Sequence, residues 1–477
     1  MGFSEKAGLP EGWEWATLEQ VAEVSGGIQK SPKRRPTQNH YPFLRVANVA
    51  RGSLDLSDVH RVELFKGELE RLRLRLGDLL VVEGNGSPDQ IGRAAAWRGT
   101  IGDCVHQNHL IRVRPTPGLS WRYLELAWNS PAVSDQLLSV AQSSSGLYTL
   151  STGKLKRIRL PIPPMAEQER IVEALDAHLS RLDAAVATAQ RARRRLEGLR
   201  KMVFLRLVPA EPPGNWRVVT VEEAGTVELG RARHPDWHHG PEMHPYLRVA
   251  NVFEDRIDAT DVMEMDFSGI FEKYKLYHGD VLLNEGQSPH LVGRPALYRG
   301  IPENVAFTNS ILRFRANEDV LPEWALMVFR RHLHAKRFMR EVRITTNIAH
   351  LSAKRLKVVE FPIPPLHAQK QLVVKCDELL TGIAAVDTEA ERSLRRASAL
   401  RKALLRKAFS GRLVPQNPDD EPAAALLGRI RAEQAAQPKP KRTRTRKVPA
   451  TRKPAEASPA PEPTEPPRTT TQQELPL

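Results

Sequence analysis

Two spacings of apolar residues alternate along the chain. Short runs bounded by Gly, Asn and Pro predict strands of four to six residues: Leu79-Leu80-Val81-Val82, His109-Leu110-Ile111-Arg112-Val113 and Ile158-Arg159-Leu160-Pro161. Trp121 to Leu138 and Pro322 to Met339 predict helices. After Pro163-Pro164 the spacing changes. Leu175, Leu179, Leu182, Val186, Ala189 and Leu196 follow the steps of a heptad seam, and Leu372, Cys376, Leu379, Ile383, Val386 and Ala390 repeat it. Pro-Pro is tolerated at a helix start, Glu167 and Glu169 suit its positive end, and the basic stretch Arg191 to Arg200 suits its negative end. An apolar seam has to be covered. Either the two seams cover each other, or each helix packs on its own neighbouring module.

The chain is written twice. Pro42-Phe43-Leu44-Arg45-Val46-Ala47-Asn48-Val49 returns as Pro245-Tyr246-Leu247-Arg248-Val249-Ala250-Asn251-Val252, at an offset of 203. Gly77-Asp78 and Glu83-Gly84 return at 202, as Gly279-Asp280 and Glu285-Gly286. From Gly92-Arg93 through Pro161-Ile162-Pro163-Pro164 the offset holds at 201. A register this steady is a tandem duplication. At Leu413-Val414-Pro415, matched to Leu207-Val208-Pro209, the offset becomes 206, which predicts a shortened stretch near Met202 to Leu207. The segments expected are 11–164, 165–207, 214–365, 366–415 and 416–477. The first and third are mixed α/β modules, and the second and fourth are helical. The last holds a short helix followed by a basic, Pro-rich tail that cannot bury a core.

Charge adds a partner. There are 71 Lys+Arg against 56 Asp+Glu, for a net charge of +15. The tail from Pro438 carries nine basic and four acidic residues, so about +10 stays on the body. Such a body favours a polyanion, because neutralising phosphates releases condensed counterions. No apolar run is long enough to span a bilayer, and the N-terminus lacks the regions of a secretory signal. The two cysteines, Cys104 and Cys376, have no CxxC partner. A cytoplasmic protein without a membrane partner is expected.

Motifs for chemistry are missing from the sequence. It has no Asn/Asp-Pro-Pro-aromatic loop of an amino-methyltransferase and no GxxxxGK[ST] loop for ATP. Nor does it have an acid-x-lysine pair of a metal-dependent nuclease. His234-Pro235-Asp236-Trp237-His238-His239 has the spacing of a zinc site, but its counterpart Ser31-Pro32-Lys33-Arg34-Arg35-Pro36 has no ligands, so a surface loop is the better account. No catalytic residue, metal or cofactor is assigned to this chain.

Two modules, each followed by a helix opening on Pro-Pro, resemble the specificity subunits of type I restriction-modification systems, over about Leu9 to Gln434. The helix opening matches in Pro163-Pro164 with Glu167-Gln168 and in Pro364-Pro365 with Gln369, although Ala368 stands where the family has an acid. Gly411-Arg412-Leu413-Val414-Pro415 resembles the family's close of the second helix. The resemblance implies an α/β fold: a duplicated target recognition domain plus long helix, with the helices paired as an antiparallel coiled coil. It implies a bipartite, asymmetric double-stranded DNA target and two bound methyltransferase subunits, and leaves room for nuclease-translocase subunits. S-adenosylmethionine, ATP and Mg would then belong to the partners. A stand-alone DNA-binding regulator is the alternative.

The duplication also sorts residues. Those shared by both copies, Arg45/Arg248, Asn48/Asn251, Arg93/Arg294 and Asn108/Asn309, suit scaffold or phosphate contacts. Those that differ at matched positions are candidates for base reading. One set is the loop with Lys30, Lys33, Arg34 and Arg35, which becomes Arg231, Arg233, His234 and His238. The other is Gln142 and Ser144, set against Arg343, Thr345 and Asn347 in polar loops before the final strand. A solvated basic loop and a left-handed turn at Gly146 or Asn347 are the plainer readings of the same residues.

Overall fold

The computed structural model describes residues 8–144, 147–345 and 348–436. Asn347, Ser145, Gly146 and the basic tail lie outside the described residues.

Each module is built on a four-stranded antiparallel sheet. In the first, the order is Ala22–Gly26, Leu110–Pro115, Leu79–Val82, Ala94–Ala96. Two of its strands, Leu79–Val82 and Ala94–Ala96, are apolar throughout because both faces are covered. Leu79, Val81, Ile111 and Val113 face the module's main core, while Leu80, Val82, Leu110 and Ala95 face a second one with Trp97 and Cys104. The second module repeats the sheet as Gly225–Leu229, Ile311–Ala316, Val281–Asn284 and Pro295–Leu297. A short strand at each module's entry pairs with the one at its exit, Glu14–Thr17 with Arg159–Ile162 and Arg217–Thr220 with Glu360–Ile363.

The expected helix from Trp121 to Leu138 is broken. It runs Trp121–Trp128, stops, and restarts as Pro131–Val140. Pro131 lacks the N–H that would continue the first helix, so it opens a second one instead. The counterpart runs unbroken from Pro322 to His334 and closes in a short 3-10 turn, Arg337–Arg340.

The two long helices, Met165–Leu207 and Leu366–Phe409, pair with each other and run antiparallel. Arg193 meets Asp387 near the middle (2.8 Å), and Arg401 meets Asp183 towards one end. At about 1.5 Å per residue each helix spans about 65 Å. In the first, Leu175, Leu179 and Leu196 are buried and Leu182, Val186 and Ala189 are partly buried, as the seam predicts. In the second, two assignments fail. Leu379 and Val386 are 43% and 53% exposed, and their seam positions are taken by Leu380 and Asp387. A charged residue opposite Arg193 interrupts the apolar period, so the pattern selects the neighbouring hydrophobe instead.

The helices have 43 and 44 residues, so no stretch near Met202 to Leu207 is shortened. The jump in offset lies past the helix ends, in the segment from Ser410 onward. That segment returns to the first module: Ala423 N–H donates to Gly12 O, and the helix Ala423–Ala436 buries Leu426, Leu427 and Ile430 in the first module's core. Each module therefore packs on both long helices. The first takes Leu175 and Leu179 with Leu405, Ala408 and Phe409; the second takes Val203, Phe204 and Leu207 with Cys376.

Candidate nucleic-acid interface

The repeated polar residues knit the scaffold. Asn48 is buried, accepts from Arg45 N–H and donates to the carbonyls of Asp55 and Asp58; Asn251 does the same with Arg248, Asp258 and Asp261. Arg93 donates to Val49 O and Arg294 to Val252 O. The Gly-Asp repeat places Asp78 and Asp280, both buried, as bidentate acceptors for Arg114 and Arg315. Most of their polar atoms are paired inside the protein, although the Nε atoms of Arg45, Arg248 and Arg294 are buried without a hydrogen-bond partner among the described residues.

The glutamine at each helix opening is also structural. Gln168, fully buried, accepts from Ser120 N–H and donates to Gly118 O and Pro163 O; Gln369 does so with Leu321, Asp319 and Pro364. Glu167 serves only the first copy, where it accepts from Trp13 Nε1 (2.9 Å) and Gln416. Ala368 can make no such contact; in the second copy Trp216, the counterpart of Trp13, packs edge-on against Trp324.

The variable residues of each module lie along one rail of backbone hydrogen bonds. Asn108 N–H donates to Ile28 O where the basic loop begins, Glu83 N–H to His109 O, and Leu150 N–H to Glu83 O where the hairpin ends. In the second module Asn309 donates to Arg231 O, Glu285 to Ser310 O and Leu351 to Glu285 O. The loop and the last polar segment, far apart in sequence, are thereby joined. The polar segments are hairpins rather than loops. Gln142–Ser144 pairs with Leu147–Thr149 and this with Gly84–Asn85, while Arg343–Thr345 pairs with Ile348–His350 and this with Gly286–Gln287. Gln142, Ser144 and Thr345 are strand residues, and Arg343 is exposed.

Within the loops the predicted cations divide. Lys30, Lys33, Arg35, Arg233 and His238 are exposed. Arg34 is held by a two-pronged contact to Glu68 (2.8 Å each) and lies over Phe65; it in turn holds the Glu68 carboxyl down at about 2. Arg231 donates to Asp266 O and lies over Trp237 and Phe267. Arg34 and Arg231 thus brace their loops and present the others. His234 pairs with Asp236, and His244 stacks on Phe271. Among the described residues no three His, Cys, Asp or Glu converge as a metal site would require.

The profile described as "Type I restriction modification DNA specificity domain" matches residues 10–188, the first module and the start of its helix. The specificity subunit of the type I restriction enzyme EcoKI of Escherichia coli K12 is 24% identical over 453 residues, covering 90% of this chain and 97% of that one. Over nine-tenths of its length the chain is thus similar to specificity subunits of type I restriction enzymes. The StySPI specificity subunit of Salmonella potsdam is also 24% identical, over 90% of this chain and 96% of its own. A chain from a study of assembly and conformational transition of the type I R-M system shares the fold. Its TM-score is 0.65 at 17% identity, with 85% of this chain and 99% of that one covered.

Sequence reasoning missed the centre of the rail, Glu83 with His109 and Glu285 with His350. The signal was present, since Glu-Gly recurs in both copies. The imidazole, however, comes from unmatched positions, and comparing the copies residue by residue hides it.

Proposed function

We propose that this chain reads a bipartite, asymmetric double-stranded DNA site, one half by each module, and does so for methyltransferase subunits that carry the chemistry. The observation that carries the reading is one scaffold used twice, at the two ends of a helix pair, with different side chains on matched rails. The shared side chains of Asn48/Asn251 and Arg93/Arg294 make internal hydrogen bonds, so differences in recognition fall to the loops and hairpins. Lys30, Lys33, Arg35, Gln142 and Ser144 serve one half-site; Arg233, His238, Arg343, Thr345 and Asn347 serve the other.

A partner surface supports the assembly. Leu199, Leu379, Val386 and Leu400 are all about half exposed, and the last three immediately precede the inward positions Leu380, Asp387 and Arg401. In an antiparallel pair these positions form one flank. The modules use the other flank, through Asp176 with Arg122 and through Phe204 under Arg330. An open apolar flank calls for a partner. Two methyltransferase subunits, one for each half of the pseudo-symmetric rod, fit it, and nuclease-translocase subunits join through them. S-adenosylmethionine, ATP and Mg act in those partners.

Co-expression with candidate methyltransferase subunits, followed by mapping of methylated bases, tests this. A two-part motif separated by a fixed spacer is expected, together with co-purification of two methyltransferase chains per copy. Turnover by the isolated chain, or methylation unaffected by its removal, would refute the reading.

A further inference from the structure

Each module holds an imidazole on the glutamate that heads its short edge strand. His109 Nδ1 lies 3.1 Å from Glu83 Oε2, and His350 Nδ1 lies 3.2 Å from Glu285 Oε2. The glutamates are counterparts at the same offset as Glu-Gly, but the histidines are not. The position matching His109 is Ser310, and the one matching His350 is Thr149. Both pairs sit mid-rail, between the basic loop and the hairpin, with the histidine side chains 57% and 43% exposed.

Stability does not account for these pairs. An accessible histidine–carboxylate contact contributes no more than an exposed ion pair, about 0–1 kcal/mol. The pair does set a direction: a carboxylate only accepts, so Nδ1 carries the donated proton and Nε2 of the neutral ring is left as an acceptor. Neither Nε2 is given a hydrogen bond by the described residues. Gly286 keeps its ring in place, since a Cβ there would lie 3.1 Å from His350 Nδ1. A bare carboxylate at the centre of a polyanion-binding face would repel its ligand, and the imidazole covers it.

Building on the DNA-reading role proposed above, we infer that His109 and His350 are specificity-determining residues. Each presents Nε2 to the exocyclic amine of an adenine or cytosine in the major groove, with Glu83 and Glu285 as positioning residues. Adenine N6 and cytosine N4 are the amino donors that the groove offers to such an acceptor. Because one ring enters from the turn before Leu110–Pro115 and the other from the strand Ile348–His350, the base each reads lies at a different place in its half-site. The two halves therefore differ.

The test uses the full complex with methyltransferase subunits and reads the methylated motif genome-wide. A bipartite motif from the unaltered complex establishes the underlying role; its absence would remove that role rather than the assignment of these histidines. Given the motif, H350A should relax one base position in one half, with discrimination there falling about tenfold or more, and H109A should relax one in the other half. H109S combined with T149H, which gives the first module the second module's arrangement, should move the relaxed position instead of merely weakening it. Misfolding would lower methylation at every site and relax none, so it cannot mimic these results. Two outcomes overturn the assignment: single variants that keep the original motif at every position, or variants that melt like the unaltered complex and yet weaken all sites equally.

Discussion

If the helix pair sets the distance between the half-sites, both helices must be lengthened together and away from the module cores. Those cores touch the rod near its ends, through Leu175 and Leu179 with Leu405 to Phe409, and through Val203 to Leu207 with Cys376. Four residues inserted after Gln190 and four after Glu391 fall in the free middle, beside Arg193 and Asp387. They add about 6 Å and a net rotation of about 40°, from about 1.5 Å and 100° per residue. One base pair adds about 3.4 Å and, at about 10–10.5 per turn, about 35°. Length alone calls for about two base pairs and rotation for about one, so the spacer should grow by one or two with both half-site sequences retained. Methylation mapping of the double insertion reads this directly. The same four residues placed near Met202 should instead disturb the second module, because Val203, Phe204 and Leu207 belong to its core. Full activity with an unchanged spacer in the double insertion would show that the rod is not the ruler.

Three further outcomes follow from single contacts. Gln369→Leu leaves Leu321 N–H and two carbonyls without their buried partner and should cost about 2–4 kcal/mol, read from denaturant melts. Leu379→Asp with Val386→Asp should lower methyltransferase co-purification while leaving the melting temperature within a few degrees, since both side chains are exposed. Burial pushes the Glu254 carboxyl up, but the His334 hydrogen bond and the Arg330 charge outweigh it and bring it down to about 2. A depressed carboxyl stabilises fully above its ordinary value near 4.5 and loses that contribution as pH falls towards 2. Acid unfolding followed by circular dichroism should therefore begin earlier in Arg330→Ala, and Glu254→Gln should flatten the acid slope.

The duplication made the architecture legible, because a repeat is visible without knowing what it forms. The strands were legible for a simpler reason: sheets covered on both faces produce runs such as Leu79 to Val82. What failed did so where polarity replaced an expected hydrophobe. Asp387 in the seam shifted the assignment to Val386, and Pro131 split a helix whose apolar spacing continues across the break. Of the candidate interface, the exposed cations were readable as charge. That Arg34 and Arg231 are internal braces depends on Glu68 and the Asp266 carbonyl, which no local pattern connects to them. The Glu83 and Glu285 centres were hidden for the related reason that one histidine arrives from a turn and the other from a hairpin strand.

The return of the last described helix to the first module has a consequence during synthesis. The second module, about residues 214–365, finds most of its support already made, because Val203, Phe204 and Leu207 precede it. The first emerges earliest, yet its core waits for Leu405, Ala408 and Phe409, and then for Leu426 and Ile430. The earliest-made half is therefore sealed last. A nascent or truncated chain that stops before Ala423 carries a first module with an open apolar seam, exposed to chaperones and proteases until the final turns of helix leave the ribosome.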